Sequence, residues 1–328
     1  MLRGVHDESS RRFGLSLVLS AAVISGVATF VNTFAVAGTG STAWTGTDAF
    51  VTVRNGLVAL LMVPLLVWGW RFKAHRLHSL DWARLAAIGL VGGAVPFLLF
   101  FRGLQIGFAD GGSEGRLTAS FLFRTLFLMA GVLAVVVLRE RLSWRLGAAT
   151  MALLGGNVLL ASLRNPIWTD GALLVLTATA LWSVEYTVSK HVMRHLPATT
   201  VAFGRMAFGA AFLATYLLAS GQFAAVTAFS ATQVAWIVVS AALLLGFVTA
   251  WYSGLRRVDL SLATAVLVLG FPVTWVLSTV ASVAPFGIPQ AAGAAIVAFG
   301  VVLAIGLTAF RDTLLSGLRF LARRGATR

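Results

Sequence analysis

The chain has 328 residues, 59% hydrophobic and 11% charged, and a mean hydropathy of +0.90, more apolar surface than one soluble core can bury. A net charge of +14 would point to nucleic acid in a soluble protein, but here the charges cluster in short segments between apolar runs, which excludes that partner and places the chain in a bilayer. With no cysteine, disulfides and thiolate metal sites are excluded as well.

Runs long enough to cross about 30 Å of hydrocarbon as helix fall at 13–37, 49–70, 85–106, 117–138, 146–163, 171–193, 198–219, 233–254, 260–282 and 290–309. The expected fold is an all-α membrane protein with ten transmembrane helices. The first run follows Arg11-Arg12 and precedes Ala35-Val36-Ala37, in the manner of a signal peptide. Its length exceeds the usual apolar region of about 7 to 15 residues, so it reads as the first span.

Arg54 in the second run recurs as Arg205 in the seventh, and the same offset of 151 residues carries Gly103-Leu104 onto Gly254-Leu255. After the surplus Gly111-Gly112-Ser113-Glu114-Gly115, the register resumes with Gly147-Ala148-Ala149 matching Gly293-Ala294-Ala295. Two five-helix copies are therefore expected, over 1–165 and 166–310, followed by a basic tail at 311–328. An odd number of spans forces the second copy to enter from the opposite face, and inverted repeats of this kind are a recurring plan of secondary transporters. Plain duplication in a membrane scaffold is the alternative.

Threading the helices from a cytoplasmic N-terminus puts nineteen Lys and Arg on the inner side and only Arg116 and Arg164 on the outer. Both termini are then cytoplasmic, in a cell membrane. The Arg-rich tail, with Leu314, Leu315, Leu318 and Leu321 at helical spacing, either lies along the anionic inner leaflet or stays solvated. Trp44, Trp68, Trp70, Trp82, Trp144, Trp168, Trp236 and Trp251 lie near expected helix ends, where amphipathic rings favour the interface; Trp182 and Trp275 do not.

Further signals are Phe101-Arg102-Gly103-Leu104 and Leu138-Arg139-Glu140-Arg141-Leu142 in the first copy. The second carries Trp182-Ser183 with Lys190, Tyr252-Ser253-Gly254-Leu255 and Phe271-Pro272-Val273. In their order across two copies these resemble the EamA-type members of the drug/metabolite transporter superfamily, from about residue 15 to 308. The resemblance implies ten helices in two repeats, transport of small molecules, and export more often than uptake. Two positions depart from the pattern. The acidic residue before the last helix of each repeat is Glu140 in the first copy but Phe286 in the second, and Arg124-Thr125-Leu126 stands where the second copy has Pro272, so the first copy is expected to lack a proline break.

Charges within the spans are costly, at least about 2.5 kcal/mol each, and require a partner or water. Glu185 and Arg205 fall at matched depth on adjacent helices, so either they pair or Glu185 faces a central cavity. Trp182, Glu185, Tyr186 and Ser189 share one face of the sixth helix, and Ser25, Ala28, Thr29 and Asn32 repeat that spacing on the first. Arg54 and Arg124 lie about 8 to 11 Å below the outer surface by helical rise. Their partner is expected to be Asp48, Asp110 or Glu114 folding in, helix carbonyls, or a substrate carboxylate. Arg102, near a helix end, can snorkel.

The candidate substrate-binding set is thus Glu185, Trp182, Tyr186, Ser189, Arg205, Arg54, Arg124 and Asn32. Its expected substrate is a small zwitterionic or amphipathic metabolite, with Glu185 engaging an amine or a coupling proton and Arg54 or Arg124 a carboxylate. Pro272 after Gly270, and Pro96 after Gly92 and Gly93, are expected to bend the ninth and third helices as hinges or static kinks. The runs Gly147 to Gly156 and Gly293 to Gly300 read as close helix packing.

His6, His75, His78, His191 and His195 lack metal-ligating company, and no Walker loop, nucleophile elbow or HExxH motif is present. No cofactor and no catalysis are expected. The competing class is an intramembrane lipid-acting enzyme with Glu140 as base; a loop ion pair with Arg139 or Arg141 is the simpler reading. Expected partners are a small-molecule substrate, protons, the lipid bilayer and a second copy of the chain.

Overall fold

The computed structural model describes residues 2–37, 47–72, 77–162, 166–282, 286–307 and 310, and among them every regular element is helical. The chain runs through α1 Leu2–Ala37, α2 Thr47–Phe72, α3 Ser79–Ile88, a π-helical turn Gly89–Ala94, α4 Val95–Arg124, α5 Leu126–Val136 and α6 Trp144–Ala161. It continues with α7 Asp170–Val192, α8 Ala198–Ala219, a 3-10 turn, α9 Ala231–Leu255, α10 Leu260–Leu267, α11 Gly270–Val280 and α12 Ile288–Ile305. The basic tail, Trp44 and the 163–165 junction lie outside the described residues.

These helices reproduce the expected spans with three of them interrupted and one pair fused. Nine stretches among the described residues are long and apolar enough to cross a membrane. The fifth expected span, α6, has 18 residues but carries Arg145 and Asn157. Span three is α3, the π turn and the first part of α4; span four is the rest of α4 with α5; span nine is α10 with α11. The reversal between spans three and four falls at Gly112, whose φ of 56° and ψ of −142° suit a residue without a Cβ. That glycine belongs to the five-residue surplus of the first copy.

The helices pack as a pseudo-twofold arrangement requires. Span one packs on span eight and span three on span six; span one also meets span nine, and span four meets span six. Spans two with seven, four with nine and five with ten pair across the axis. Exchanging the two halves leaves this set of neighbours unchanged. Glycines at matching positions let the backbones meet: a Cβ on Gly171 would lie 2.3 Å from the Gly103 carbonyl, and one on Gly254 would lie 3.0 Å from that of Gly14. Gly156 and Gly293 meet in the same way between α6 and α12, whereas Gly147 faces open space. Leu15, Val18, Ala21 and Ala22 of span one are buried within the bundle.

Two expectations, those for Trp251 and Glu140, need correction. The first copy lacks a proline break, as expected, yet its fourth span is interrupted: at Thr125 the N–H and the hydroxyl both turn back to the Leu122 carbonyl, at 3.1 and 2.7 Å, and end α4. Pro272 sits in the first turn of α11, where a missing N–H costs little. Trp251 is no interface anchor; it is fully buried against Tyr186 and Phe247, while Trp82, Trp144 and Trp168 are exposed. Among the described residues Glu140 forms no loop ion pair; its carboxylate accepts from Leu260 N at 2.7 Å, Ser261 N at 3.0 Å and Ser261 Oγ at 2.6 Å. It thereby caps α10, whose own leading residue, Asp259, makes no side-chain cap. Beside it Lys190 Nζ donates to the carbonyls of Leu255 and Val258, both at 2.6 Å, so two charged side chains hold the turn between spans eight and nine.

Candidate functional site

The face of α7 predicted from spacing points into the bundle. Glu185 is 1% exposed, and its Oε1 accepts from the Ser189 hydroxyl one turn on and from the Tyr252 phenol of α9, both at 2.6 Å. Its Oε2 lies 3.3 Å from Arg205 Nε of α8. That contact is electrostatic rather than a formed hydrogen bond, since neither atom has a hydrogen-bond partner. Of the two readings open for Glu185, pairing with Arg205 is the observed one.

Arg205 is held from its other side by the kink of span three. Proline at 96 has no N–H to offer the carbonyl four residues back, which leaves the Gly92 oxygen free. That oxygen accepts from Arg205 Nη2 and from Trp182 Nε1, each at 3.0 Å. Glycine is required there by contact, since a Cβ on Gly92 would fall 2.2 Å from Glu185 Cγ. The helical irregularity, the ion pair and the tryptophan therefore form one unit. Trp182 is also enclosed by the rings of Phe97, Phe100 and Phe123.

Arg54, the repeat counterpart of Arg205, approaches the same kink from α2. Its Nε and Nη2 donate to Asn55 Oδ1 at 3.3 and 3.2 Å, and Asn55 Nδ2 donates to the Gly93 carbonyl at 3.3 Å. The two guanidinium groups share the Phe97 ring, Arg54 at 5.3 Å and Arg205 at 5.9 Å from its centroid, while Phe50 is 5.6 Å from Arg54. No carboxylate among the described residues pairs with Arg54. The repeat explains why: by the spacing shared with α1, Ala28 stands where Glu185 stands in α7, and Phe101 where Tyr252 stands in α9.

Among the described residues the remaining candidates form no hydrogen bond or ion pair with Glu185 or Arg205. Tyr186 is buried against Trp251, with ring centroids 4.8 Å apart. Asn32 accepts from Ser240 between α1 and α9, at 2.7 Å. Arg124 lies over Phe271 at 4.7 Å, between spans four and nine. Among the described residues none of Asp48, Asp110 and Glu114 pairs with Arg54 or Arg124. Sequence reasoning brought together Glu185, Ser189, Trp182 and Arg205. It missed Asn55 and Phe97, and noted Tyr252 and Pro96 only as motif and kink. Phe97 and Asn55 carried a legible signal in adjoining Pro96 and Arg54 respectively.

A ten-span bundle with two halves related by exchange, and matched arginines at their interface, agrees with what the family comparison finds. The EamA-like transporter family matches residues 12–162 and again 169–306. The chain belongs to the EamA-like transporter family. A search of curated protein sequences gives no match. A solved crystal structure of a protein aligns with 88% of this chain and 99% of its own length, at a TM-score of 0.62 and 19% identity, and shows a shared fold. The EamA-like chain is thus a multi-pass membrane protein of a family that moves small molecules.

Proposed function

We propose that the chain is a secondary transporter that carries a small zwitterionic or amphipathic metabolite across the cytoplasmic membrane by alternating access, in the export direction. The observation that supports this most is the imbalance of buried charge at the interface of the two halves, where Arg54 and Arg205 converge on one kink with the single carboxylate of Glu185. A closed structural core has no use for a second buried guanidinium at such cost, whereas an anionic group of a substrate balances it. In this reading Glu185 exchanges Arg205 for an amine or a proton, and Arg54 or Arg124 takes a carboxylate. The broken spans four and nine, which pair with each other, supply joints about which the halves rock.

Reconstituted vesicles test the proposal. A transporter moves the substrate unaltered, an enzyme alters it without a gradient, and a scaffold does neither. Glu185→Gln is expected to abolish pH-dependent movement; unaltered pH dependence removes Glu185 from coupling. The enzyme reading is disfavoured because both oxygens of Glu140 are committed to the start of α10.

A further inference from the structure

The pairing of spans four and nine holds a second set of donors that the Glu185 cluster does not use. Phe271, Trp275 and Thr279 follow one another at every fourth position on α11, a stripe about 12 Å long by helical rise. This stripe is distinct from the face toward α1, where Thr274 donates to the Gly26 carbonyl, and from the exposed face of Val276 and Val280. Arg124, at the end of α4, lays its guanidinium over Phe271. Arg124 Nη1, Trp275 Nε1 and Thr279 Oγ1 are all buried and have no hydrogen-bond partner among the described residues. Buried donors are normally satisfied; Phe271, under Arg124, and Trp275 lie one turn apart on α11, so Arg124 Nη1 and Trp275 Nε1 call for a shared acceptor, whereas Thr279 lies a further turn away.

We propose that Arg124 and Trp275 form a carboxylate-binding subsite walled by Phe271, which takes the acid group of a substrate with an aromatic or branched apolar body. The inference rests on the transport reading above and assigns the carboxylate end to Arg124 rather than Arg54. The chemistry follows from the donor set. A guanidinium and an indole N–H complement a group that only accepts, a single guanidinium matches one negative charge, and the aromatic walls exclude a strongly hydrated dianion.

Equilibrium binding of labelled benzoate to the full chain in lipid nanodiscs tests this, with benzamide as the uncharged competitor of the same shape. The expected result is saturable benzoate binding that benzamide does not displace, weakened tenfold or more by Arg124→Gln and severalfold by Trp275→Phe. Binding is expected to survive in Arg54→Gln. Absence of saturable binding, equal displacement by benzamide, or dependence on Arg54 instead of Arg124 overturns the proposal. Should Arg124→Gln fail to fold, Trp275→Phe decides, because it keeps the ring and removes only the N–H; unaltered affinity overturns the subsite. Binding that depends on Arg124 in a protein that moves no substrate in vesicles sustains the subsite and sinks the transport reading, and the reverse result does the opposite.

Discussion

Removing charge from one member of the Glu185–Arg205 pair should cost far more than removing it from both. Both side chains are almost fully buried, with 3.3 Å between Oε2 and Nε. At an effective dielectric of about 20 that separation gives an attraction of about 5 kcal/mol before desolvation. Glu185→Gln keeps an acceptor for Tyr252 and Ser189 but turns an amide toward Arg205, leaving a buried guanidinium uncompensated, at about 3 to 5 kcal/mol. Arg205→Met leaves the carboxylate with two hydroxyl donors and the Gly92 carbonyl still bonded to Trp182, so its cost should lie at the lower end of that range. The double variant removes both charges of the pair, and its cost should fall to about 2 kcal/mol or less, a coupling of at least about 4 kcal/mol. Unfolding of the purified protein by titration with a denaturing detergent reads all four corners of the cycle. Additivity of the two single effects to within about 0.5 kcal/mol would refute the reasoning, because it would mean that water already screens the pair.

Gly92→Ala places a methyl group 2.2 Å from Glu185 Cγ, so α7 and the kink must move apart; a loss of at least about 1 to 3 kcal/mol and of transport is expected from the same titration and a vesicle assay. Pro96→Ala restores an N–H aimed at the Gly92 carbonyl and competes with Arg205 and Trp182; transport should fall while the fold persists, as judged by circular dichroism beside the vesicle assay. Glu140→Ala removes three bonds to the start of α10 and should cost about 1 to 2 kcal/mol, with faster hydrogen exchange at residues 260–264 and little change elsewhere.

Much of the fold was legible because membrane spanning imposes length and apolarity on each helix, and because Arg54 with Arg205 and Gly103 with Gly254 mark the register of the repeat. The breaks were legible only in part. Pro96 and Pro272 announce themselves, but Thr125 ends α4 through a hydroxyl that bonds its own backbone, which many mid-helix threonines do without ending anything. The contents of the site were read where they lay on one helix, as with Glu185 and Ser189. Tyr252 joins them across α9, from 67 residues away, and no spacing rule reaches that far. Trp251 misled for the same reason, since closeness to a helix end in sequence does not say whether that end faces lipid or a neighbouring helix.

Inverted halves are the claim on which the rest depends, and the lack of native cysteine makes it directly measurable. His78, exposed before span three, and Gln222, exposed before span eight, occupy equivalent turns of the two copies. Labelling of His78→Cys and Gln222→Cys with a membrane-impermeant maleimide in intact and permeabilised cells should show Gln222→Cys modified from outside and His78→Cys only after permeabilisation. Modification of both from the same side would contradict the account.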